Sequence, residues 1–108
     1  MSNETPQTVI CRYHVKKGQE SRMEELLAVH WKTLHAAGLT TDTPARHYRG
    51  QPAEHHGAEG LYIEIYEWKS AEAPGIAHQT PEVMAVWEPM GGCCEKMEFP
   101  HFDVLDLG

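Results

Sequence analysis

"LYIEIYEW" (residues 61–68) decides the fold. Its β-branched and aromatic residues, bounded by Gly60 on one side and polar residues on the other, read as a strand. A period of two sorts it into Leu61, Ile63, Ile65 and Glu67 on one face and Tyr62, Glu64, Tyr66 and Trp68 on the other. Both faces are bulky, so both have to be covered, and the strand belongs at the centre of a layered structure.

Reading outward, "TVICRYHVK" (8–16) is a second strand with Val9, Cys11, Tyr13 and Val15 on an apolar face and Ile10, Arg12 and His14 on a mixed one. "QESRMEELLAVHWKTLHAAG" (19–38) follows as an amphipathic helix. Met23, Leu26, Leu27, His30, Leu34 and Ala37 recur at helical spacing, and Gly38 ends the run. "ARHYRG" (45–50) is a short strand, and "QPAEHHGAEG" (51–60) a hairpin connection to the central strand.

After a helical turn broken by Pro74 and Gly75, Thr80 caps a further helix that has Pro81 at its first position. Val83, Val86, Trp87 and Met90 make its apolar stripe, and Pro89 is expected to kink or end it. "EKMEFPHFDVL" (95–105) closes as an edge strand, because Pro100 cannot donate to a ladder on both sides.

The order is β-α-β-β-α-β, which predicts an α+β, ferredoxin-like fold: a four-stranded antiparallel sheet with its helices on one face. Residues 1–7 are expected to form a flexible lead-in, and residues 8–108 a single domain. Parity alone does not fix which face of the central strand meets the helices. The assignment made from the sequence leaves Ile10, Tyr62, Tyr66 and Trp68 on the uncovered face. An apolar patch of that size predicts a homodimer built sheet against sheet. Glu64 would then lie in the interface, with Arg12 and His14 as its partners.

The chain has 108 residues and a formal charge of -7. That balance argues against nucleic acid as a partner. No apolar run approaches the length of a membrane span, and "MSNETPQT" lacks the basic and apolar regions of a secretory signal. Three cysteines, two of them adjacent in "GGCCE", have no disulfide-framework spacing, which points to the cytoplasm. Neither the cysteines nor the adjacent His55 and His56 have the spacing of a metal site, so no metal and no cofactor are expected.

His30 falls within the apolar stripe of the long helix and has two readings: a general base in a helix–sheet cavity, or a buried histidine satisfied by a neighbouring acceptor. Glu67 would enter the same cavity if the aliphatic face of its strand looks toward the helices, and would orient the His30 ring; otherwise it reaches solvent or a lysine. His78, near the start of the last helix, can help hold an anion or can pack on an indole. Trp87, Met84, Met90 and Cys11 combine a core stripe with the kind of wall that accepts a flat organic ligand. Trp31 stands at the edge of the first helix's stripe and is included among the ligand-contacting residues.

The frames "TVICRYHVKKG…MEELLAVHW" and "LYIEIYEWKSAEA…AHQTPEVMAVWEPM" resemble the dimeric α/β barrel proteins related to antibiotic-biosynthesis monooxygenases. The resemblance spans residues 9 to about 104. It implies a pocket between helices and sheet, and an activity that differs among members. Some oxygenate polycyclic aromatic compounds without metal or cofactor, some degrade heme, and others isomerise or only bind small molecules. The positions that the heme-degrading branch uses fall near Cys11, His78 and Glu88, which are not its residue types. Of the aromatic residues used by the quinone-forming oxygenases, this chain offers Tyr62, Tyr66 and Trp68.

The expected function is therefore binding of a small, partly aromatic ligand, with cofactor-independent oxygenation or proton transfer on a quinol-like substrate. The alternatives are a non-catalytic ligand-binding or stress-associated protein of the same fold, and a heme-binding protein without the degradation residues.

Overall fold

A computed structural model describes residues 5–52, 54 and 57–108; the adjacent histidines His55 and His56 and the first four residues of the lead-in lie outside the described residues. The elements are β1 (Gln7–Val15), α1 (Glu20–Ala36), β2 (Arg46–Arg49), β3 (Leu61–Trp68), α2 (Ala73–Ala77), α3 (Pro81–Cys93), β4 (Cys94–Glu98) and β5 (His101–Phe102). The antiparallel sheet has the order β2-β3-β1-β4, with β5 also on β1, so β3, read as central from its two bulky faces, is central, and β1 lies beside it. This is the ferredoxin-like arrangement, with α1 and α3 packed side by side.

Register decides the faces. β1 and β3 pair so that Val9 opposes Tyr66, Cys11 opposes Glu64, and Tyr13 opposes Tyr62. Residues directly opposite share a face. Val9, Cys11, Tyr13 and Val15 are buried, and so are Tyr62, Glu64, Tyr66 and Trp68. These eight meet the helices, from which Met23, Leu26, Leu27, His30, Leu34, Val83 and Met90 close the core.

The β3 assignment made from parity is therefore inverted. Tyr62, Glu64, Tyr66 and Trp68 do not lie on the open face; Leu61, Ile63, Ile65 and Glu67 do, beside Ile10, Arg12 and His14. The physical reason is volume: the aromatic rings fill the layer between sheet and helices, while the smaller isoleucines serve the uncovered side. Glu98, on β4, is the partner of both Arg12 (3.5 Å) and His14 (2.9 Å), the role expected of Glu64.

Two prolines act differently from each other. Pro100 breaks the last strand into β4 and β5, yet its carbonyl accepts the Ile10 N–H at 3.1 Å, so the break stays tied to β1. Pro89 does not end α3, which continues to Cys93. At the end of α1, Gly38 takes a φ of 74°, a conformation that side-chain-bearing residues rarely adopt, and the Leu39 N–H returns to the Leu34 carbonyl. All three thiols are free and buried. Burial, with the charge of Glu64 second, pushes the Cys11 thiol up to about 12.

Candidate functional site

Alternation along β3 sends Glu64 into the core between Tyr62 and Tyr66, where its carboxylate is fully buried. An unpaired charge there would cost several kcal/mol. Three donors meet it. The Tyr13 hydroxyl donates to Oε1 at 2.6 Å, His30 Nδ1 lies 2.8 Å from the same oxygen, and His47 Nε2 lies 2.7 Å from Oε2. Burial raises the carboxyl's affinity for a proton; the adjacent His30 ring and the bonds from His30, His47 and Tyr13 outweigh it and hold the group down at about 2. Tyr13, raised well above its ordinary range by burial and by the Glu64 charge, stays a phenol and a donor.

Trp87 fixes the state of His30. Its indole N–H lies 2.7 Å from His30 Nε2, and an indole nitrogen can only donate. Nε2 therefore accepts, and Nδ1 carries the ring proton that it donates to Glu64. The result is a continuous chain, His47–Glu64–His30–Trp87, crossing from one side of the domain to the other.

At its inner end lies a cavity of about 340 Å³. Val9, Tyr66 and Trp68 form its sheet wall, Met84, Trp87 and Met90 its α3 wall, and Met97 and Phe99 its far side. His78, Glu88 and His101 bring the polar atoms, and all three are exposed. His78 meets the Trp87 ring edge-on at 4.8 Å. The lining is otherwise aromatic and thioether, suited to a flat apolar ligand. At its outer end the chain reaches an open groove of about 400 Å³ lined by Glu24, Leu27, His47, Arg49 and Tyr62, among others. There Glu24 accepts from the Tyr62 hydroxyl at 2.6 Å and from Arg49 at 3.1 Å.

The structure brings Trp87, Met84, Met90 and His78 together at the cavity. His30 faces inward, 1% exposed, and is not among the cavity's lining residues; it stands behind Trp87 and Tyr66, whose rings lie 6.3 Å and 5.7 Å from its own. Glu67 is not its partner. That carboxylate is on the open face and accepts the Thr41 hydroxyl at 2.8 Å, because odd-numbered β3 residues point away from the helices. Cys11 lies in the core behind the sheet wall, and Trp31 stacks on His35 at 4.6 Å; neither lines the cavity. The roles of Glu64, His47 and Tyr13 in one network were missed. Pairing the unambiguous apolar face of β1 with β3 would have exposed them, since Cys11 and Glu64 stand opposite each other.

Fold and site together define a class: a ferredoxin-like α+β domain with an apolar cavity between helices and sheet. Its fold is shared with a putative antibiotic biosynthesis monooxygenase from Bordetella bronchiseptica, at a TM-score of 0.74 and 16% identity over 93% of this chain and 97% of that one. No protein-family model matches the chain, and no curated protein matches it significantly. Solved structures do. SnoaB, a cofactor-independent oxygenase from Streptomyces nogalater, aligns with a TM-score of 0.73 at 16% identity over 94% of each chain. PA3566 from Pseudomonas aeruginosa aligns with a TM-score of 0.74 at 13% identity over 98% of this chain and 100% of its own. Rv0793 from Mycobacterium tuberculosis gives 0.71 at 16% identity over 94% and 97%. At such identities the likeness is one of fold.

Proposed function

We propose that this protein binds a flat, electron-rich aromatic compound in the cavity beside Trp87 and oxygenates it with dioxygen, without a cofactor. The observation that carries the proposal is the junction of an apolar, ring-lined cavity with a buried carboxylate–imidazole pair through the Trp87 indole. A cofactor-independent oxygenase among the structural relatives supports the reaction class.

His30 is the base in this reading, with Glu64 in the orienting role expected of Glu67. A quinol-type hydroxyl that takes the place of the indole at Nε2 gives its proton to His30, and Glu64 stabilises the imidazolium so formed. The aryloxide passes one electron to dioxygen. Recombination of the resulting radical pair forms a carbon–oxygen bond, the His30 imidazolium returns its proton to the peroxide, and loss of water from the hydroperoxide, taking the hydrogen of the newly oxygenated carbon, leaves the quinone. Met84, Met90 and His78 hold the ring in place.

The test is turnover of a hydroxynaphthalene-type quinol under air, followed by quinone absorbance and oxygen uptake. His30→Gln retains a donor for Glu64 and an acceptor for the indole but is no base. Wild type is expected to form quinone, and the variant to lose at least about a hundredfold in rate, the contribution of one general base, with its melting temperature little changed. Equal rates in the two proteins would remove His30 from the chemistry.

A second reading is a non-catalytic ligand-binding protein. It is favoured by one observation: Nε2 of His30 is engaged by Trp87 rather than open to the cavity. Saturable binding with no product under air is its expected result. In either reading a second copy covers the aliphatic face made by Ile10, Ile63 and Ile65.

A further inference from the structure

We propose that His47 is a positioning residue for the cavity on the opposite side of the core, acting through Glu64 and His30 on the Trp87 indole. The inference rests on the cavity being the ligand site.

His47 lies on β2, an edge strand exposed along its length, and its own side chain is 38% exposed. On such a strand a histidine has no packing duty. Its ring nevertheless turns inward, because His47 opposes Glu64 in the β2–β3 register and so shares its face. It supplies the donor to Oε2. The other oxygen is already shared by Tyr13 and His30, so without His47 one oxygen of a fully buried carboxylate would have no partner among the described residues.

Each link constrains the next. A carboxylate anchored on both oxygens cannot rotate about its terminal bond. It therefore holds the His30 ring in one plane and one tautomer, with Nδ1 protonated and Nε2 open as an acceptor. That acceptor takes the only hydrogen of the Trp87 indole nitrogen and sets the angle of the ring. With its N–H turned to His30, Trp87 offers an arriving ligand an indole surface without a donor, and selects at entry, before any hydroxyl displaces it from Nε2, for ligands recognised by their aromatic face. None of this needs a proton to travel along the chain. His47 touches no ligand; it decides what the wall presents.

The experiment uses ¹⁵N-labelled full-length protein and 1-naphthol as the probe. The Trp87 indole resonance is assigned by its loss in Trp87→Phe, and the His30 tautomer is read from its ring nitrogens. His47→Leu keeps bulk but removes the donor; His47→Gln can still donate. In His47→Leu the Trp87 indole N–H is expected to exchange with solvent about tenfold faster, and naphthol affinity to fall about tenfold, the worth of one buried hydrogen bond. His47→Gln should stay within about twofold of wild type in both, a rescue that a packing role would not give. Should circular dichroism show His47→Leu unfolded, His47→Asn, polar but too short to reach Oε2, takes its place under the same criteria.

An unchanged indole exchange rate and an unchanged His30 tautomer in the folded donor-less variant would overturn the proposal. Failure of wild type to bind naphthol would instead count against the cavity as a ligand site, and the resonance measurements would still decide whether His47 governs Trp87.

Discussion

Glu64 is the residue on which the interior depends. Its folded value near 2 lies below the 4.5 of an exposed glutamate. Its contribution to stability is thus complete above about pH 4.5 and disappears as the pH falls toward 2. Urea midpoints of the wild type should drop steeply across that window, while those of Glu64→Gln, which has no charge to lose, should be flatter. At neutral pH the same substitution leaves three former donors facing a neutral amide, one half of which is itself a donor. It should cost about 1.5–3 kcal/mol, the usual worth of a hydrogen bond to a charged group. A loss below about 0.5 kcal/mol would mean that the network is slack.

At the level of elements, the sequence was informative where pattern is redundant and silent where a single residue's phase decides. The long run from Met23 to Leu34 repeats its apolar spacing often enough to place His30 inward, and so it is found. β3 has bulky groups on both faces, so alternation alone could not tell Tyr62 from Ile63; only its register against β1 does, and register is a property of two strands. For that reason Glu64, not Glu67, meets His30, and the partner of Arg12 and His14 is Glu98. Of the two outcomes expected at Pro89, an end to the helix does not occur, because α3 is held by packing at Val83, Met90 and Cys93 on both sides of the ring. Pro89→Ala returns an N–H for the carbonyl four residues earlier and should raise helix stability by about 1–3 kcal/mol, measured by thermal denaturation. Gly38→Ala should cost about 1 kcal/mol. A Cβ added there would meet nothing, so the penalty comes from the φ of 74° alone.

For the whole molecule, the inverted face changes the chemistry of association without removing the argument for it. The uncovered side of the sheet carries Ile10, Ile63 and Ile65, partly accessible in the single chain and flanked by the Arg12–Glu98–His14 cluster. Aliphatic centres with charged borders are what a self-complementary interface needs. Ile63→Lys should convert a dimer to a monomer in sedimentation equilibrium while leaving the His47–Glu64–His30–Trp87 chain intact, since that lies on the other side of the sheet. A sedimentation result showing wild type as a monomer at micromolar concentration would instead assign the face to another partner.

The buried thiols have a practical corollary. Cys11 sits on β1 beneath Glu64, and Cys93 and Cys94 bracket the junction of α3 and β4, so three sulfurs report from both ends of the interior. An alkylating reagent needs a thiolate and a path to it, and the folded chain supplies neither at Cys11. Iodoacetamide added to the native protein should therefore modify each position only as fast as its surroundings open, making mass-resolved labelling a site-by-site clock of how the layers come apart.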